Sequence, residues 1–130
     1  MKPILAAAAL PVVLIGSGLA VAEPRPITGD ELTAAFAGRM VVIETPVGMV
    51  PVLFKADGSM EGRSKEVARY VGVEHDTGTW WVSKDRQRMC QKWRSWMDGK
   101  LHCFTLRRDG AVLHWARGDG ETGLAHIAAQ

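Results

Sequence analysis

The chain has 130 residues, and its 16 Lys and Arg against 14 Asp and Glu give a net charge of +2. That balance excludes a general nucleic-acid binder, which needs a strongly basic face. The length and the 47% apolar content fit one modest core, and two cysteines allow at most one internal bridge.

The first 22 residues read as an export signal. Lys2 is a short positive start, the stretch from Ile4 to Ala20 has no charge, and Ala20-Val21-Ala22 is a small-x-small site followed by Glu23-Pro24. Pro11, Gly16 and Gly18 weaken a continuous helix, which favours a cleaved signal over a retained anchor. No cysteine lies there to take a lipid. The expectation is a cleaved signal over 1–22 and a single β-rich domain over 23–130. The domain is periplasmic or secreted, without stable membrane insertion after cleavage. Loss of Lys2 leaves 15 basic residues against 14 acidic.

Pro24 and Pro26 mark an extended lead-in. Thr28-Gly29-Asp30-Glu31 has the form of a capping box, with the Thr28 side chain accepting from the Glu31 amide. Leu32, Ala35 and Phe36 then give one apolar stripe, so a short helix is predicted from Asp30 to Ala37, ended by Gly38. Beyond Gly38 the pattern is strand and turn. Arg39 to Thr45 is β-branched and apolar, Pro46-Val47-Gly48 turns, and Met49 to Lys55 returns, with Pro51 pointing to an edge or a bulge.

Asp-Gly recurs at Asp57, Asp98, Asp109 and Asp119, a pair that readily enters the positive-φ turns between antiparallel strands. Further strands are predicted at 59–63, 78–82, 89–94, 100–107, 111–116 and 122–127. Lys65 to Gly72 reads either as a short helix, with Val67, Tyr70 and Val71 inward, or as an ordered loop. About eight short antiparallel strands in meander order, led by one helix, predict a small barrel or half-barrel, because closure hides the edges of an open sheet.

Cys90 and Cys103 are the only cysteines, and an oxidising compartment favours one bridge between them. A four-residue loop, Ser95 to Asp98, sets Arg94 opposite Gly99 and therefore Cys90 opposite Cys103. A two-residue Asp98-Gly99 turn sets Cys90 opposite Arg107, four rows from Cys103 at about 3.3 Å per row, too far to bridge. The longer loop is preferred.

Gly78-Thr79-Trp80, Cys90-Gln91-Lys92-Trp93 and Cys103-Phe104, with their Asp-Gly turns, resemble a group of small exported proteobacterial proteins classed as domains of unknown function. The resemblance runs from about Thr28 to Ile127 and fits least well from Lys65 to His75. It implies a periplasmic β domain with a leading helix, and it supplies no activity because the group has no assigned catalytic residues.

No nucleophile elbow, phosphate-cradling loop or Cys-x-x-Cys is present, so a non-catalytic protein without a cofactor is expected. His102, His114 and His126 are spaced by 12 on three successive strands. Three-residue turns bring neighbours to one face, where imidazoles can hold zinc or copper, while two-residue turns set them on opposite faces. Half-exposed strand positions are the expected outcome, with no metal.

Trp80, Trp81, Trp93, Trp96 and Trp115 fall within 36 residues, among Lys92, Arg94, Arg107 and Arg108. Alternation sends Trp80 and Trp81 to opposite faces. Trp96, in the loop, has no strand partner to cover it. Trp93, Arg94, Trp96, Lys92 and Arg107 are therefore the candidate partner surface, where an exposed indole beside guanidinium groups suits a sugar face or a protein. The expected function is an exported binding module that meets an envelope component or protein through this surface or a barrel mouth. A structural or stress-related accessory protein acting through protein contacts is the alternative.

Overall fold

The computed structural model describes residues 23–129, so the expected signal segment, 1–22, lies outside the described residues. Alternation of apolar and polar positions drives the architecture from Arg39 onward. The described strands are β1 (Arg25–Ile27), β2 (Arg39–Thr45), β3 (Gly48–Phe54), β4 (Ser59–Arg63), β5 (His75–Val82), β6 (Met89–Trp93), β7 (Leu101–Asp109), β8 (Val112–Arg117) and β9 (Thr122–Ile127). Helix α1 spans Gly29–Phe36, helix α2 spans Lys65–Val71, and a 3₁₀ turn covers Trp96–Gly99.

Each strand from β2 to β9 pairs antiparallel with the next, and β9 returns to β2. The result is a closed eight-stranded meander barrel. Closure gives every strand from β2 to β9 a neighbour on both sides along part of its length, which shortens the exposed edges. The short β1, absent from the sequence reading, extends the edge of β6: it pairs Ile27 with Leu106 beyond the last β6–β7 row, Met89 with Phe104. Only three residues long, β1 has no alternation to read. Pro51 pairs with Val42 on the β2 side, while the β3–β4 ladder stops at Val52, so the proline sits where β3 has lost its second neighbour.

Inward positions form one core, including Val41, Val52, Phe54, Met60 and Leu113. Helix α1 closes one end of the barrel. Leu32, Ala35 and Phe36 are buried, and the Phe36 ring stands 4.9 Å from Phe54 and 6.2 Å from Trp80. Trp80 donates its indole N–H to the Lys55 carbonyl at 2.8 Å, and the Gly29 amide meets the Arg86 carbonyl at 2.8 Å. The expected capping box does not form. Thr28 is the N-cap but its side chain makes no capping bond, and Glu31 pairs instead with Arg25.

At α2 the cap does work, since the Ser64 hydroxyl accepts from the Val67 amide at 3.0 Å. Val67 packs against the core and Val71, one turn on in the same row, reaches the cavity lining while half-exposed, whereas Tyr70, at 76% exposure, does not turn inward as expected. A two-turn helix has room for a single inward row, and Val67 and Val71 occupy it.

The loop from Ser95 to Asp98 has four residues, Cys90 is the Cα partner of Cys103, and the two form a disulfide on the outer face. Trp81, the outward partner of Cys90, is 37% exposed whereas Trp80 is buried, as alternation requires. Replacing Cys90 and Cys103 together with serine is expected to cost about 2–5 kcal/mol in urea unfolding. Titration of two free thiols in the native oxidised protein would contradict the bridge.

Candidate functional site

The end opposite α1 is built from four connections. These are the turn after Thr45, helix α2, the 3₁₀ turn, and the loop from Gly118 to Gly120. Between them lies the mouth of an apolar cavity of about 430 Å³ that reaches down to Phe36. Its walls come from the inward positions of β2, β3 and β6 to β9, among them Val52, Trp93, Phe104, Leu113, Trp115 and Ala125. No residue of β4 or β5 lines it.

The β4–β5 side is filled because two glycines there leave room, Gly62 for two indole rings and Gly78 for the close approach of the β6 backbone. A Cβ on Gly62 would stand 2.5 Å from the six-membered ring of Trp96 and 3.1 Å from that of Trp93, and one on Gly78 would stand 2.4 Å from the Lys92 carbonyl oxygen and 2.8 Å from the Met60 methyl. Without side chains at these inward positions, Trp93 and Trp96 pack with centroids 4.8 Å apart and planes tilted by 51°, and form one wall of the cavity.

Trp96 therefore departs from the expected surface. It is 5% exposed, and its indole N–H donates to the Val73 carbonyl at 2.9 Å. The buried Asp76 carboxylate accepts from the backbone amides of Ser95 at 2.9 Å and Trp96 at 2.7 Å. An inward carboxylate on β5 thus folds the loop back over the barrel. The chain reverses through three left-handed residues, Met97 at φ 53°, Asp98 at φ 58° and Gly99 at φ 63°, and Met97 lands on the cavity wall. Left-handed backbone is unfavourable for methionine, and the anchoring of Trp96 next to it opposes that cost.

The predicted surface residues separate. Trp93 and Trp96 face inward, whereas Lys92 and Arg94 stay exposed on the outer face beside Thr77 and Thr79. Arg107 lies six residues along β7 from Leu101, about 20 Å at 3.3 Å per residue. Its guanidinium donates to the Pro24 carbonyl at 2.8 and 3.2 Å, which pins the lead-in. The expected single Trp/Arg platform is corrected: its tryptophans are interior, and its cations are dispersed. The signal for Trp96 was Asp76 together with Gly62, three residues that only the folded register brings together.

The histidines separate as well. The two-residue β7–β8 turn sets His102 on the inward face and His114 outward, while the three-residue loop of β8–β9 keeps His126 on the side of His114. His126 instead meets Glu44, with Nε2 at 2.5 Å from Oε2. Among the described residues no group of three His, Cys, Asp or Glu side chains is placed to hold a metal ion.

Polar groups gather at the mouth. Arg117 donates from Nε to both Asp119 oxygens at 3.1 and 3.0 Å, and from Nη2 to Asp119 at 2.7 Å. Nη2 also pairs with Glu121 at 2.8 Å. The bonds from the Arg117 side chain and the Glu121 amide hold the Asp119 carboxyl down at about 2. A depressed carboxyl keeps its charge until pH falls through that value, so the Arg117–Asp119 pair persists at all ordinary pH. Deeper in, Gln91 is the polar side chain of the wall, 5% exposed.

No protein-family model, curated protein or solved structure matches the chain. No helix among the described residues is long and apolar enough to cross a membrane. Trp96→Ala is expected to destabilise by about 3–5 kcal/mol, as does loss of a buried large aromatic such as Trp80. Urea unfolding of Trp96→Ala and Trp80→Ala side by side checks this. A Trp96→Ala loss below about 1 kcal/mol, the range of ordinary surface changes, would return that indole to the surface.

Proposed function

We propose that the chain is an exported, non-catalytic binding module that holds a small, mainly apolar ligand inside its barrel. The observation that carries this reading is the cavity, apolar along its depth and running from Phe36 to the connections at the end opposite α1. Native cores pack densely, with few voids larger than a water, which occupies about 30 Å³. A space of about 430 Å³ is no packing defect, and it falls within the roughly 300–1,000 Å³ of small-molecule pockets. Burial of apolar ligand surface supplies the affinity, at roughly 25 cal/mol per Å². The signal-like segment supports export, and the disulfide agrees with an oxidising compartment. Absence of a catalytic motif in the sequence, and the commitment of the mouth's charges to one another, support binding without chemistry.

A second reading, an accessory protein acting through protein contacts, draws on apolar side chains exposed around the same end. Met49, Tyr70, Val71 and Leu101 all stand beside the mouth connections. That reading gains if cross-linking captures a stable protein complex and apolar ligands leave the protein unmoved.

N-phenyl-1-naphthylamine, a neutral apolar fluorophore, tests the cavity. Its emission is expected to rise saturably on addition of the protein, with energy transfer from the tryptophans. Ala125→Phe, which puts a ring into the space, is expected to weaken binding about tenfold or more while far-ultraviolet circular dichroism stays native. Failure of the wild-type protein to bind, or equal binding by a folded Ala125→Phe, would overturn the proposal.

A further inference from the structure

The Gln91 side chain has capacity for four hydrogen bonds, two given and two received. Among the described residues its amide makes one, a long contact from Nε2 to the thioether of Met97 at 3.6 Å. Sulfur is a weak acceptor. Gln91 is nevertheless 5% exposed, inward beside its Cα partner Trp80, and part of the cavity wall. Burial of an amide without full partners is costly, and methionine or leucine would suit an apolar wall better. The other polar liners, Glu44, Thr45, Arg117 and Glu121, belong to the mouth connections or the strand ends beside them. The Trp115 indole N–H is also unpaired, but it is shut off from the space and pressed against Gly123.

The charges at the mouth select further. Arg117 is the one cation lining the cavity, and it is already shared between Asp119 and Glu121. Glu44 and Glu121 line the same mouth. An incoming anion must displace a carboxylate from Arg117 and pass two others, whereas a neutral molecule disturbs none of these pairs.

We infer that the ligand is an uncharged amphiphile: an apolar body filling the barrel, with one hydroxyl, carbonyl or amide group set against the Gln91 side chain. This rests on the cavity reading above and names the ligand class for it. A group that both donates and accepts uses the amide best, because Gln91 offers both functions at one point.

The test uses displacement of N-phenyl-1-naphthylamine at pH 8 by 1-decanol and by decanoate, which share a chain and differ in the head. Decanol is expected to displace the probe at about a tenfold lower concentration than decanoate. Gln91→Met, close in volume, is expected to weaken decanol about three- to tenfold, the worth of one neutral hydrogen bond. Decanol affinity is calculated with the probe's own Kd measured in each protein, and thermal stability should be unchanged or higher. Equal displacement by decanoate, or an unchanged decanol response in Gln91→Met, overturns the inferred ligand class and leaves the cavity reading standing. Marked destabilisation by Gln91→Met makes the residue structural and also overturns it. No probe binding by the wild-type protein removes the cavity reading, and this inference with it.

Discussion

Two hydrogen bonds to one buried carboxylate organise the open end of the barrel. Asp76 points inward from β5 and accepts the amides of Ser95 and Trp96. Such charge-assisted bonds to a buried carboxylate are among the stronger ones available to a small domain. Holding the loop at that point fixes its length at four residues, and the length fixes the register of β6 on β7. The parity of the register then decides what faces the interior: Gln91 and Trp93 from β6, Phe104 and Leu106 from β7. The same register puts Cys90 opposite Cys103 on the outside, where the disulfide locks it. A slip of one residue would exchange every one of these positions for its opposite.

The barrel is filled unevenly, and the unevenness makes the cavity. On the β4–β5 side Gly62 yields its space to Trp93 and Trp96, and below them Trp80 packs edge-on to Phe54 at 5.9 Å. The six strands that remain, β2, β3 and β6 to β9, carry side chains that do not meet in the middle. Helix α1 plugs the far end with Phe36, so entry is confined to the end where α2, the 3₁₀ turn and the Arg117 ion cluster stand. Rigid walls and a polar rim are the combination that lets a pocket bind without rearranging the fold.

Much of this was legible in the residues. Apolar alternation and the four Asp-Gly turns carry the meander, and the loop count carries the disulfide register, because both depend on local chain geometry. Strands 39–45, 59–63 and 122–127 match their predicted bounds for the same reason. The site was harder to read. Trp96 looked uncovered because its partners, Gly62, Val73 and Asp76, lie some 20 to 34 positions earlier, and no local pattern links them. The Thr28 cap failed because Glu31 finds Arg25, and the Tyr70 assignment failed because a two-turn helix gives only one row to the core. Long-range packing decides what an isolated tryptophan does.

The five indole N–H groups report on the interior directly, since each gives its own resonance in a nitrogen–proton correlation spectrum. Trp93, Trp96 and Trp115 line the cavity, while Trp80 lies under it against α1 and Trp81 stands outside. Titration with 1-decanol is therefore predicted to move the first three resonances saturably and leave Trp81 in place, with Trp80 changing little. Movement centred on Trp81, or no saturable movement at Trp93, Trp96 and Trp115, would contradict a ligand inside the barrel.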